Sequence, residues 1–108
     1  MLDMLYDLSP DEDVADIDGR LLVVVLGDDP VSDEVERRCT RKADRFDSET
    51  EFQLALVRGS EFVHLHKGGL ELPALLCFVD GVRSRTVEGA DDCMDYINEY
   101  FKKAKMSL

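Results

Sequence analysis

Three cysteines, two histidines and a surplus of carboxylates are the residues that could carry chemistry in this 108-residue chain. A thiol attacks or binds metal as thiolate, so it needs an electropositive, solvent-reached setting. Cys39 falls on an apolar series, Val31, Val35, Cys39, Ala43 and Phe46, spaced by four, four, four and three. That spacing predicts a helix with one buried face and makes Cys39 a small core residue. Arg37, Arg38, Arg41 and Lys42 surround it with positive charge, which leaves a second reading open: a single-thiol redox enzyme or sensor using Cys39. Cys77 alternates with Leu75 and Val79 in an apolar run and reads as core. Cys93 stands at the start of the last helical pattern. No pair of cysteines has metal-ligand spacing. His64 and His66 would diverge by about 200° on a helix and could share an ion only on a strand or loop. The acidic stretch 14–19 fails as a calcium loop, because its first and last ligand positions would be Val14 and Val25. No Ser-His-Asp arrangement, phosphate-binding glycine loop or supported carboxylate pair is present. The expectation is no metal, no cofactor and no catalytic residue.

Charge narrows the partners. There are 24 acids against 13 bases, a net charge of −11. Eleven of the acids precede residue 35, where Arg20 is the sole base. Such a field repels phosphate, which argues against nucleic acid and anionic membranes. No apolar run reaches the roughly 20 residues of a membrane span. Met1-Leu2-Asp3-Met4 lacks the basic start and apolar run of a signal peptide. Three widely spaced cysteines do not make a disulfide framework. The expected setting is intracellular, cytoplasmic or nuclear. Arg37, Arg41 and Arg45 form one helical stripe. It is either a solvated face that balances an acidic protein or a dock for an acidic partner segment.

These residues need elements to hold them. Residues 2–8 read as a short strand. Ser9, Pro10 and Glu12 have the spacing of an N-cap, first helical residue and capping box, for a short helix to about Ile17. Residues 21–26 are six consecutive apolar residues, as in a strand buried on both faces. Asp28-Asp29-Pro30 opens the next helix, with acids in its first turns and arginines toward its end. Residues 52–57 form another strand, and residues 60–67 a short helix or loop. Residues 74–79 and 82–87 are strands joined by Asp80-Gly81, a two-residue hairpin turn. Gly89-Ala90-Asp91 opens a last helix with Met94, Ile97 and Phe101 facing in. The order is β-α-β-α-β-α-β-β-α in one domain, residues 1–108. The fold class is α/β: a central mixed β-sheet with helices on both faces. The pattern also allows homo-oligomerisation, with the apolar hairpin edge or the last helix as interface.

Leu72-Pro73 followed by 74–79 and Asp80-Gly81, with Glu88-Gly89-Ala90 after the final strand, resembles the thioredoxin superfamily over nearly the whole chain. The resemblance implies a cis peptide bond at Pro73. It also implies a redox Cys-x-x-Cys at the start of the helix after the central strand, where the helix terminus favours a thiolate. This chain holds Asp28-Asp29-Pro30-Val31-Ser32-Asp33 there. The two cysteine positions fall at about Pro30 and Asp33, within one residue. The resemblance therefore implies the fold without dithiol exchange: a redox-inactive member, not an enzyme. In the family, backbone beside the cis-proline pairs with extended polypeptide. That implies a protein partner bound at Asp28, Asp29, Pro30, Val31, Leu72 and Pro73, or on the stripe of Arg37, Arg41 and Arg45. An adaptor or complex subunit is the expected role.

Overall fold

The computed structural model describes residues 5–45, 52–66 and 69–106. At its centre lies β1 (Arg20–Leu26), in which Leu21 through Leu26 are at most 2% exposed. On one side β2 (Phe52–Arg58) pairs with it in parallel, Leu22 opposite Leu54. On the other, β3 (Ala74–Val79) pairs antiparallel, Val23 opposite Leu76, and β4 (Val82–Glu88) closes the hairpin. The strand order is β2-β1-β3-β4. The parallel pair needs a long crossover, and α1 (Pro30–Asp44) supplies it. The hairpin turn has Asp80 at φ 50° and Gly81 at φ 81°, both left-handed, as a two-residue turn of this hand requires. Gly81 also packs on Ala15, where an added Cβ would lie 2.2 Å from the carbonyl oxygen.

Alternation along β1 divides the core into two layers. Leu22, Val24 and Leu26 meet Val35, Cys39 and Ala43 of α1 and Cys93, Ile97 and Ala104 of α3 (Ala90–Met106). The hydroxyl of Tyr100, in the same layer, reaches the Gln53 carbonyl at 2.7 Å. Leu21, Val23 and Val25 face the opposite layer with Leu8, Val14 and Phe62. The cover there is short: a 3-10 turn at Val14–Asp16 and the single turn α2 (Val63–His66).

Four expectations change. The helix expected from Ser9 to Ile17 is a turn followed by that 3-10 segment. Ser9 and Glu12 do make a capping contact, the Ser9 N–H donating to Glu12 Oε1 at 3.4 Å. Asp13 then adopts extended backbone and accepts from the Ala15 N–H at 3.0 Å, a local bond that competes with helix continuation. Of the expected strand 2–8, residues 2–4 lie outside the described residues. The part that is described makes one parallel bridge, Leu5 with Leu54, and the Tyr6 N–H donates to the Leu54 carbonyl. On α1, Val31 is 51% exposed and Ser32 is fully buried. The inward series is thus Ser32, Val35, Cys39 and Ala43, an equally helical spacing; Phe46 lies outside the described residues. The hairpin edge expected to be apolar carries exposed Arg83, Ser84, Arg85 and Thr86, although Val82 is 68% exposed.

Candidate functional site

The site forms where β1 ends and α1 begins. Asp29 has extended backbone and caps α1, its Oδ1 accepting from the Ser32 N–H at 2.7 Å. Pro30 follows at the first helical position, where its missing N–H is not needed. The Ser32 hydroxyl turns back and accepts from the Gly27 N–H at 2.9 Å. Gly27 lets these parts meet. A Cβ there would lie 2.9 Å from Asp29 Oδ2, 3.3 Å from Leu72 Cβ and 3.4 Å from Ser32 Oγ. The loop before β3 is thereby drawn against the start of α1.

That loop carries the cis peptide bond between Leu72 and Pro73. Pro73 is buried, and its carbonyl is taken: the Gly89 N–H donates to it at 3.0 Å and the Cys93 thiol lies at 3.3 Å. The start of α3 is therefore fastened to the cis-proline. Leu72 is half-buried, and its backbone N–H and C=O have no hydrogen-bond partner among the described residues. Between the two helix starts runs a groove of about 310 Å³, with Pro30, Val31, Val35 and the Glu34–Arg38 pair on one wall and Ala90, Asp91 and Met94 on the other.

No thiol reaches this groove. Cys39 and Cys93 are fully buried and Cys77 nearly so. Burial pushes Cys39 up to about 12, and the neighbouring Lys42 lowers it only in part. Burial, then the charges of Asp92 and Glu88, pushes Cys93 up to about 12. Burial also raises Cys77. The pair that faces itself across one helical turn is Asp29 and Ser32, one residue earlier than Pro30 and Asp33. Asp33 instead points outward, 3.5 Å from Arg58. Sequence reasoning missed Ser32; its signal was a polar residue three positions after an Asp N-cap, behind a glycine.

The structure splits the expected binding residues into two groups. Asp28, Asp29, Pro30 and Val31 lead into α1, with Leu72 and Pro73 drawn up beside Gly27, and of these six Pro30 and Val31 line the groove. Arg37, Arg41 and Arg45 run away from it along α1, which at about 1.5 Å per residue puts Arg45 roughly 20 Å from Pro30. Arg37 and Arg38 both pair with Glu34, and these exposed pairs add little stability. Both histidines fall in the helical turn α2, and His64 packs on Phe62 with ring centroids 5.8 Å apart. Among the described residues no group of three side chains could hold a metal. Nor is any described helix long and apolar enough to cross a membrane.

No protein-family model matches the chain, and no curated protein matches it. Solved structures do. Thioredoxin f from spinach chloroplast superposes with a TM-score of 0.66 over 91% of this chain and 94% of that one, at 13% identity. A mutant thioredoxin from Halobacterium salinarum gives 0.61 over 91% and 89%, at 21% identity. Plasmodium falciparum thioredoxin gives 0.62 over 81% and 87%, at 14% identity. Likeness at these identities establishes architecture: the chain has the thioredoxin-like α/β fold, a four-stranded mixed sheet flanked by helices.

Proposed function

We propose that this protein is a redox-inactive, non-catalytic interaction module: an adaptor or subunit that binds an extended segment of a partner protein in the groove between α1 and α3. One observation carries the reading. The start of α1 holds a carboxylate and a buried hydroxyl, and beside them an apolar groove stays open with Val31 half exposed. A helix N-terminus stabilises a thiolate, and here that place is filled by Asp29, which already serves the helix as its cap. The unpartnered N–H and C=O of Leu72 are suited to pair with an added strand. The groove's apolar walls would anchor that strand's side chains. The reading built on Cys39 needs a thiol that solvent reaches, and its full burial gives that reading no support.

The test is reduction of insulin disulfides by dithiothreitol, with and without the protein. The reaction is expected to run no faster than with dithiothreitol alone. Turnover above that background, proportional to protein concentration, would overturn the proposal.

A further inference from the structure

The arginine stripe of α1 takes no part in the groove and has a cleft of its own. This cleft, about 510 Å³ in volume, lies between the second half of α1 and the β2 side of the sheet. Arg37, Arg41 and Arg45 line it, together with the half-buried Leu56 of β2. Two acids line it as well, Glu36 and Asp44. Glu36 is met by Arg58 at 3.1 Å, and Arg37 shares Glu34 with Arg38. Arg41 and Arg45 are left with Asp44 as the one uncommitted carboxylate of the cleft, and neither has an ion-pair partner among the described residues. Over residues 37–45 five cations stand against one acid, in a chain whose net charge is −11. The positive charge is therefore local and opposite in sign to the whole. A cation in the last turn complements the helix dipole, which accounts for Arg41. It does not account for Arg37, roughly two turns before the end, or for an apolar side chain left half open beside the stripe.

We infer that this cleft is a second protein-binding surface, separate from the groove, and that it takes an extended acidic segment with carboxylates at alternate positions. Charge complementarity sets the sign, since a basic segment would be repelled by the arginines. Spacing sets the pattern. Arginines four residues apart on a helix rise by about 6 Å from one to the next. Alternate side chains of an extended chain lie on one face and advance by about 6.6 Å. Successive carboxylates can thus each meet one guanidinium, whose fork suits a carboxylate. Phosphate would also pair with arginine. A nucleic acid, however, brings its charge up to a broad surface of a strongly acidic protein, whereas a short peptide meets the stripe alone.

The experiment follows amide shifts of the labelled protein during titration with three blocked peptides of equal length and with a short duplex DNA. One peptide carries glutamate at alternate positions between serines, one the same glutamates in a single run, and one lysine at alternate positions. The alternating glutamate peptide is expected to shift Thr40, Arg41 and Leu56 and to leave Val31, Ala90 and Met94 in place. It should bind at least about tenfold more tightly than the lysine peptide at low salt, and more tightly than the single run. The advantage over lysine should shrink as salt shortens the Debye length from about 30 to 8 Å. Arg41→Gln/Arg45→Gln should remove most of it. A control, Arg83→Gln/Arg85→Gln, takes the same charge from β4 at the opposite edge of the sheet and should leave it intact. Thermal melts establish that both variants fold. A lysine or single-run peptide that binds as tightly, no shift at those three residues, or equal loss in the control would overturn the inference. So would duplex DNA that shifts the same residues more tightly than the alternating peptide. Binding seen only once Asp47→Asn/Glu49→Gln/Glu51→Gln is made would give the cleft to the acids that follow it in this chain, and would overturn it too. The groove reading is untouched by any of these results, because its reporters are Val31, Ala90 and Met94.

Discussion

The start of α1 and the buried sulfurs make opposite use of their surroundings. At the helix start, backbone N–H groups and the helix dipole are available to an anion, and the residues placed there are a carboxylate cap and a hydroxyl. The thiols lie within the packed layer between sheet and helices, where Cys39 has neither solvent nor a helix terminus. Cys93, in the first turn of α3, has a helix terminus but also the charges of Asp92 and Glu88, and its thiol points at the Pro73 carbonyl. The helix start thus carries oxygen, while the three sulfurs lie buried.

The largest expected effect concerns reactivity. With Cys39 and Cys93 near 12 instead of their ordinary 9, the thiolate population at neutral pH falls about a thousandfold. Native protein should therefore resist alkylation at pH 7.5, and labelling of these two thiols should be on the order of a thousandfold slower than in urea. Rapid, selective labelling of Cys39 would break the comparison.

The same shifts set an alkaline limit. A thiol raised by burial stays protonated in the fold after the unfolded chain has begun to ionise. Its contribution is complete below pH 9 and is lost as pH climbs from 9 toward 12. Each of the two thiols should remove about 1.4 kcal/mol per pH unit in that window. Urea melts between pH 8 and 11 check the slope, and Cys39→Ala should reduce it by one proton.

Substitutions at the helix start sharpen the other side. Ser32→Ala leaves the half-buried Gly27 N–H without its acceptor, which should cost about 2 kcal/mol. Asp29→Ala removes the cap and should cost about 1 kcal/mol, with Asp29→Asn recovering most of it. Both are read from denaturant midpoints. Val31→Ser should change stability by less than about 0.5 kcal/mol, because the side chain is half exposed. It should still weaken binding of an extended apolar peptide in the groove, followed by amide shifts of Ala90 and Met94. Undiminished binding would remove Val31 from the groove's contact surface.

Much of this arrangement was legible in the residues. Six apolar residues in a row marked β1 as a doubly covered strand, and Asp80-Gly81 marked the hairpin, because each signal is local and has few alternatives. The cis peptide bond came from the resemblance, since no local signal distinguishes Leu72-Pro73 from an ordinary trans pair. The segment 9–17 misled because a genuine capping contact between Ser9 and Glu12 is followed by a second cap at Asp13, and spacing does not say which one wins. Val31 misled because a helix-period stripe does not say where the sheet beneath it ends. The groove itself was only partly legible. Met94 and Val35 join it through the packing of α1 beside α3, a contact between elements far apart in sequence.

The start of α1 is held to be a place that can host a reactive thiolate and that carries oxygen where sulfur would act. Asp29→Cys/Ser32→Cys tests this most directly, with insulin reduction by the folded double variant measured beside the parent protein. The expected result is no turnover from the parent and clear turnover from the variant, because position 29 then presents a thiol where the helix terminus favours its ionised form. A parent that already reduces insulin, or a folded double variant as inert as the parent, would contradict it.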